Sequence, residues 1–184
     1  MTIERRTIAV LVDNEPGVLA RVIGLFSGRG YNIESLTVSE VDNDNNLSRI
    51  TIVTCGTAQI IEQIKAQLDR IVPVHRVLDL TKDAPGEVME RELALIKVSS
   101  TGEKRVESLR LADISGAKVV DAGLEHFTFE MAGRPQDIDR FIDLMAALGL
   151  SDISRTGVVA IARGSDGLGI LIGKETDFGQ KIRN

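Results

Sequence analysis

The sequence predicts an α+β protein made of two successive sandwich domains, each with the element order βαββαβ. Three observations predict this: strand-like and helix-like apolar periodicities alternate along the chain, the same order of elements occurs twice, and a polar segment broken by Pro85 and Gly86 separates the two series. A chain of 184 residues is long enough for two small domains. We expect the domains at residues 1–80 and 90–164, a linker at 81–89, and a glycine-rich, charged tail at 165–184.

The first domain opens with a buried strand and an amphipathic helix. Residues 7–12 form a nearly continuous apolar run rich in β-branched side chains, which is typical of a buried strand. The helix that follows is expected to end near Gly28 and Gly30, because both suit a left-handed C-cap. Its apolar positions recur at helical spacing: Val18, Leu19, Val22, Ile23 and Phe26.

A strand pair, a second helix and a fourth strand complete the first domain. The strands are expected at residues 32–41, 47–55 and 74–80, with an Asp- and Asn-rich turn at 42–46. Thr57 is a candidate N-cap for the helix, and Pro73 stops it. Leu36 and Val38 lie on one face of the first of these strands, and Ile50 and Ile52 face inward on the second. The apolar stripe of the helix comprises Ile60, Ile61, Ile64, Leu68 and Ile71. Two helices on one face of an antiparallel sheet in this order make a ferredoxin-like arrangement.

The second domain repeats this element order with a dissimilar sequence. Its strands are expected at residues 93–98, 117–121, 125–132 and 153–163, and its helices at 103–112 and from Pro135 to Gly149. On the third of these strands, Phe127, Phe129 and Met131 alternate toward one face. The last helix carries the apolar stripe Ile138, Phe141, Ile142, Met145 and Leu148. We therefore expect a second α/β sandwich.

The loop that joins the first strand to the first helix, Asp13-Asn14-Glu15-Pro16-Gly17-Val18-Leu19, is suited to a small anionic ligand. Pro16 is expected in the first helical turn, where its missing N–H costs no hydrogen bond. Gly17 has no Cβ, so another molecule could approach the unpaired N–H groups of that turn. Those groups and the helix dipole favour a carboxylate or a phosphate. A capped turn that binds no ligand fits the loop by itself equally well.

Composition and isolated side chains argue against several classes of function. A net charge of −5, spread over both halves, disfavours a nucleic-acid-binding protein, and no apolar run approaches the length of a membrane span. His75, His126 and the single cysteine, Cys55, show no metal-ligand or nucleophile spacing. We expect structural or surface roles for the two histidines and a core position for Cys55. The sequence therefore predicts a cytoplasmic protein that binds and regulates, with no metal and no catalytic residues of its own.

Several blocks in series resemble the small, regulatory subunits of acetolactate synthase (acetohydroxyacid synthase), whose first domain is an ACT domain. The loop at 13–19 continues into a matching helix, and Gly30-Tyr31-Asn32-Ile33-Glu34-Ser35-Leu36 is specific to this family within the ACT group. Two later blocks, residues 91–98 and 154–160, agree in order. The resemblance covers residues 3–164 and leaves the tail outside it.

This resemblance implies a subunit that is not catalytic alone and carries no cofactor. Its partner would be the catalytic large subunit, which uses thiamine diphosphate, magnesium and FAD to condense pyruvate with pyruvate or 2-oxobutyrate in branched-chain amino-acid synthesis. The small subunit raises that activity and confers feedback inhibition by valine, in some members also by leucine or isoleucine. The effector lies between paired ACT domains of a homodimer. Carried onto this chain, its site comprises Asn14, Gly17, Val18 and Leu19, with Asn32 and Ile33 across the dimer.

Alternatives from other classes stay open. An ACT domain could sense another amino acid and act on a different enzyme, and ferredoxin-like domains also serve in ligand-sensing transcription regulators. The chain has no basic DNA-binding segment, which disfavours a transcription regulator. A stand-alone enzyme is disfavoured further, because the sequence pairs no groups as nucleophile and base or as acid and base.

Overall fold

Two antiparallel sheets, each with two helices packed on one face, organise the chain. The computed structural model describes residues 2–83 and 87–164. The described residues fall into two units: unit one comprises 2–83, 87–89 and 160–164, and unit two comprises 90–159. None of the helices in the described ranges is both long and apolar enough to span a bilayer.

Unit one has the predicted βαββαβ order. Its elements are β1 (Glu4–Asp13), α1 (Val18–Arg29), β2 (Ser35–Asp42), β3 (Leu47–Gly56), α2 (Ala58–Leu68) and β4 (Val74–Asp79). The strands lie in the order β2-β3-β1-β4, and Val10 of β1 stands opposite Ile50 of β3. The core lies between sheet and helices and comprises Ile8, Val10, Val12, Val18, Val22, Phe26, Ile50, Ile52, Ile61, Ile64 and Leu68.

Local signals in unit one are confirmed at several positions. The Thr57 hydroxyl caps α2 by accepting a hydrogen bond from the Ile60 N–H at 3.4 Å, and Gly30 ends α1 with φ +67°. The predicted stripe of α1 is too wide, however, because Leu19 and Ile23 are 36% and 38% exposed. The start predicted for the second strand is also wrong: β2 begins at Ser35, and the preceding residues belong to the connection from α1.

Unit two repeats the topology of unit one, as predicted. Its elements are β5 (Val88–Ser99, whose first two residues belong to unit one), α3 (Gly102–Ser115), β6 (Lys118–Ala122), β7 (His126–Gly133), α4 (Pro135–Ala146) and β8 (Leu150–Arg155), in the sheet order β6-β7-β5-β8. Pro135 begins α4, where a missing N–H costs no helical bond. Alternate residues of β5 and β7 enter the core, where the rings of Phe129 and Phe141 meet edge to face with centroids 5.8 Å apart.

The single last strand predicted at residues 153–163 is wrong. β8 ends at Arg155, and a separate strand, β9 (Val159–Ala162), pairs with β5. At the interruption, Thr156 and Leu93 share two hydrogen bonds: the Thr156 N–H donates to the Leu93 carbonyl at 3.0 Å, and the Leu93 N–H donates to the Thr156 hydroxyl at 3.1 Å. Gly157 follows with φ +83°, in the left-handed region that favours glycine. The tail predicted at 165–184 lies outside the described residues.

Candidate functional site

The connection between β1 and α1, residues 14–17, is the exposed feature on which the predicted site centres. Gly17 is the N-cap of α1 with φ +88°, a left-handed conformation that side chains with a Cβ disfavour. Pro16 therefore lies before the helix, and its predicted place in the first helical turn is wrong. A Cβ built on Gly17 would meet no atom within 4 Å, so the space in front of the helix is open.

The first turn of α1 presents N–H groups that the helix leaves unpaired. The Arg21 N–H donates to the Gly17 carbonyl at 3.0 Å and makes the first bond of the helical ladder. The N–H groups of Leu19 and Ala20 precede that bond and have no acceptor within the helix. Gly17 has no side chain with which to cap them, and the first turn carries no acidic residue. This helix start can accept an anion.

The predicted residues on the loop and helix differ in what they offer a ligand. The side chain of Asn14 is exposed, and Leu19 is 36% exposed on the surface of α1. Val18 is only 4% exposed, because its side chain belongs to the core of unit one. The Val18 N–H donates to the Glu15 carbonyl at 3.4 Å, so Val18 supports the helix start, and the N–H groups left for a ligand are those of Leu19 and Ala20.

Asn32 and Ile33 lie on the connection between α1 and β2, which β3 holds in place. The Thr54 hydroxyl donates to the Asn32 carbonyl at 2.6 Å, and the Glu34 N–H donates to the Val53 carbonyl at 2.8 Å. Ile33 is half-buried against the core, while Asn32 is exposed. With its carbonyl held on β3, the Asn32 side-chain amide is left available to another molecule.

Two other side chains of unit one that could react or bind a metal, Cys55 and His75, lie within hydrogen-bond distance of carboxylates. The Cys55 thiol donates to the Glu34 carboxylate at 2.9 Å, and this bond raises the pKa of the thiol above its usual range. A protonated thiol is a poor nucleophile. Cys55 is also half-buried, so its predicted core position is wrong. His75 lies 2.5 Å from a carboxylate oxygen of Asp13, measured from its Nε2.

In unit two, His126 makes a similar pair with Asp121: its Nε2 lies 3.0 Å from an Asp121 carboxylate oxygen. Across the described ranges, no group of three or more His, Cys, Asp or Glu side chains is arranged to hold a metal ion.

Sequence reasoning missed two features beside the loop. The first is the exposure of three apolar side chains, Leu19 and Ile23 on α1 and Val38 on β2, with exposed fractions of 36–42%; we call these residues the apolar edge. Spacing assigned Leu19 and Ile23 to the apolar stripe of the helix and Val38 to one face of its strand, and periodicity identifies an apolar face but not what covers it. The second is a contact between the loop and the turn that contains Asn46, because the Asn14 N–H donates to the Asn46 carbonyl at 2.7 Å. No local pattern links residues so far apart in the sequence.

Comparison with known proteins gives concordant matches over both units. One family model, the AHAS small subunit-like ACT domain, matches residues 8–76, and another, the small subunit of acetolactate synthase, matches residues 91–164. The probable acetolactate synthase small subunit of Archaeoglobus fulgidus is 45% identical over 161 residues, which cover 88% of this chain and 98% of that protein. The acetolactate synthase small subunit of Haemophilus influenzae is 44% identical in an alignment that covers 87% of this chain and 96% of that protein.

A solved structure agrees with these sequence matches. The crystal structure of the acetolactate synthase small subunit from Thermotoga maritima has 35% sequence identity to this chain and superposes with a TM-score of 0.78. The superposition covers 89% of this chain and 99% of that one. Fold and sequence therefore point to the same group of proteins.

Proposed function

This chain belongs to the acetolactate synthase small subunit family, and from that premise we propose that it binds the catalytic large subunit of the enzyme, raises its activity and makes it sensitive to valine. Members of this family have a regulatory role in branched-chain amino-acid biosynthesis. In the proposed assembly, which we place in the cytoplasm, thiamine diphosphate, magnesium and FAD belong to the large subunit. This chain contributes no catalytic group and no cofactor to the transferase reaction.

The start of α1 is the observation that carries this proposal. Valine has a carboxylate, an ammonium group and a small branched side chain, and each has a complement near Gly17. The N–H groups of the first turn suit the carboxylate, while the Asn14 and Asn32 amides can bind the polar groups. Leu19 and Ile33 would enclose the side chain. Such a pocket distinguishes valine from leucine or isoleucine only modestly, by about 1–3 kcal/mol per methylene.

A second copy of the chain completes this site in our proposal. The apolar edge of Leu19, Ile23 and Val38 supports self-association, because apolar side chains of this size gain free energy when an interface removes them from water. β2 is also an edge strand in unit one, so its outer N–H and C=O groups suit pairing with another β2. Pairing along this edge would bring Asn32 and Ile33 of one copy toward the loop of the other.

Valine binding between two copies also suggests how the signal arises. A ligand shifts an equilibrium only if its affinity differs between two states. A site whose halves come from two copies meets this condition, because the halves move relative to each other when the dimer rearranges. The catalytic subunit would respond to the arrangement that valine favours.

Reconstitution of the holoenzyme tests the proposal. The full chain is mixed with a catalytic acetolactate synthase subunit, and acetolactate formation is measured with and without valine. We expect the rate to rise when the chain is added and to fall again as valine is titrated. If the chain neither raises the rate nor confers a response to valine, the proposed function is wrong. A response to serine or threonine in place of valine would indicate a sensor of a different amino acid.

A further inference from the structure

The β1–α1 loop (residues 14–17) is held at its base from two sides by segments distant in sequence. On one side, the Asp13 N–H donates to the Pro73 carbonyl at 2.9 Å. On the other, the Asn14 N–H donates to the Asn46 carbonyl at 2.7 Å. Because these bonds flank the point where the chain leaves β1, they determine the direction in which the loop approaches the start of α1.

Asn46 makes a reciprocal contact with Asn14. Its side-chain Nδ2 donates to the Asn14 carbonyl at 3.3 Å, while its own carbonyl accepts the Asn14 N–H. Asn46 has φ +53° and is the one non-glycine residue with positive φ in the described part of the chain. Asparagine adopts this conformation more readily than most residues. The identity of the side chain at this position therefore affects both bonds to Asn14.

The turn around Asn46 is itself fixed by Asp42. The carboxylate of Asp42 accepts hydrogen bonds from the Asn45 N–H at 3.0 Å and from the Asn45 Nδ2 at 2.7 Å. Asp42 is only 8% exposed, and its backbone pairs with β3. Asn46 thus follows a residue that Asp42 holds through both its main chain and its side chain.

His75 supports the other side of the loop. It lies on β4, and its Nε2 is 2.5 Å from Oδ1 of Asp13, the last residue of β1. Both side chains are about one-third exposed. The contact ties the end of β1 to β4 beside the Pro73 bond, so Asp13 is held through both its main chain and its side chain.

We propose that Asn46 and His75 are positioning residues of the effector site, which set its affinity for an amino-acid carboxylate by fixing the loop before the ligand arrives. This inference rests on the proposed function. Asn46 acts through Asn14, and His75 acts through Asp13. A loop that already has its bound conformation loses less conformational freedom on binding, so the affinity is higher.

The test is valine inhibition of the reconstituted holoenzyme with variants at Asn46. We expect Asn46→Ala to raise the half-maximal valine concentration about three- to tenfold, the range that one net hydrogen bond represents. The half-maximal valine concentration of Asn46→Gly should lie closer to the native value, because glycine retains the left-handed backbone and the main-chain bond to Asn14. Asn43→Ala, at an exposed position in the same turn, is the matched control and should behave as the native chain.

Variants at His75 test the other side of the loop. His75→Ala should raise the half-maximal valine concentration by a similar factor, and His75→Gln should restore part of the affinity, since its amide can donate to Asp13. Activation without valine and the thermal unfolding temperature are measured for every variant. We expect activation to remain native, because neither residue acts through the interface with the large subunit in this proposal.

Several outcomes would overturn the inference. Native valine sensitivity in folded Asn46→Ala and His75→Ala would show that the loop needs no such support. An equal loss of activation and inhibition would indicate general damage rather than positioning. If an alanine variant fails to fold, the conservative variant at the same position is measured instead: a half-maximal valine concentration above the native value supports the inference, and the native value contradicts it. If the native holoenzyme does not respond to valine, the result instead contradicts the proposed function, and the inference that rests on it is wrong as well.

Discussion

Gly17 combines two properties that together define the proposed site. Its φ of +88° turns the chain into α1, and the open space before it exposes the first N–H groups of the helix. The sequence predicted the second property, since the absence of a Cβ is known from the residue type. The left-handed backbone at Gly17 was not predicted, because a helix that already contains Pro16 would leave Gly17 in a helical conformation. Both requirements favour glycine at this position.

Arg155 offers a stability prediction in unit two. Glu92 is 5% exposed, and its two carboxylate oxygens accept hydrogen bonds from Arg155 at 2.7 and 2.6 Å. A third bond joins Arg155 to Asp139 at 2.6 Å, and the bonds to these carboxylates raise the pKa of Arg155 above its usual value. Arg155→Ala would leave the buried carboxylate of Glu92 without its cation. We expect the free energy of unfolding in urea to fall by ~3 kcal/mol.

Two further variants check this explanation of the Arg155 effect. Arg155→Lys should recover only part of the loss, because an ammonium group cannot reproduce the two parallel bonds to Glu92. The double variant Arg155→Met with Glu92→Gln should be more stable than Arg155→Ala, since it removes the buried charge together with its partner. Equal stability of the native chain and Arg155→Ala would contradict the explanation.

Asp42 gives a prediction about pH. Hydrogen bonds from the Asn45 side chain and N–H hold the pKa of Asp42 below its usual range. Since this pKa is lower in the folded than in the unfolded chain, the stabilisation is complete above about pH 4 and is lost as the pH falls through the folded value. We expect unfolding in urea to become easier below about pH 4, and Asp42→Asn to show a weaker dependence on pH over that range. Identical pH profiles of the two proteins would contradict this.

At the scale of elements, the apolar edge of α1 and β2 carries the prediction about self-association. A charge at Val38, which is 42% exposed on β2, should be buried if two copies pair along this edge. We expect Val38→Asp to weaken the dimer at least about tenfold, because burying an unpaired carboxylate is costly. Sedimentation analysis over a range of protein concentrations measures how strongly each variant dimerises. Val72→Asp, at a position 94% exposed outside the edge, is the control and should dimerise as the native chain does. An undisturbed Val38→Asp dimer would place the interface elsewhere.

Most elements could be predicted from periodicity and capping residues, because those signals are local. Thr57 and Pro135 mark the starts of α2 and α4 by chemistry that operates within one turn. The break between β8 and β9 could not be found this way. At this break the Leu93 N–H bonds to the Thr156 hydroxyl, and the two residues are 63 positions apart in sequence, beyond the reach of a local pattern. The exposure of Leu19 and Ile23 escaped prediction for a related reason, since burial depends on neighbours that only the fold supplies.

At the scale of the whole molecule, two units with the same strand order have separate cores. The family resemblance spans both units, and the relatives from Archaeoglobus fulgidus and Haemophilus influenzae align over nearly their full lengths. The loop half of the candidate site could be predicted from its own residues, whereas Asn32 and Ile33 were predictable only through that resemblance. The loop and the segment that contains Asn32 belong to the same chain, but the proposed pocket forms only between two chains. Patterns within one sequence do not show which surfaces of two copies come together.

Calorimetric titration of valine into the purified full-length chain measures most directly whether the start of α1 is an effector site. We predict saturable binding by the native chain and its loss in Gly17→Asp, because a carboxylate beside the first-turn N–H groups competes with that of valine and the left-handed φ disfavours any Cβ. Asn43→Asp adds the same charge to an exposed turn and should bind as the native chain does. The absence of saturable binding by the native chain, or undiminished affinity in a folded Gly17→Asp, would contradict the assignment.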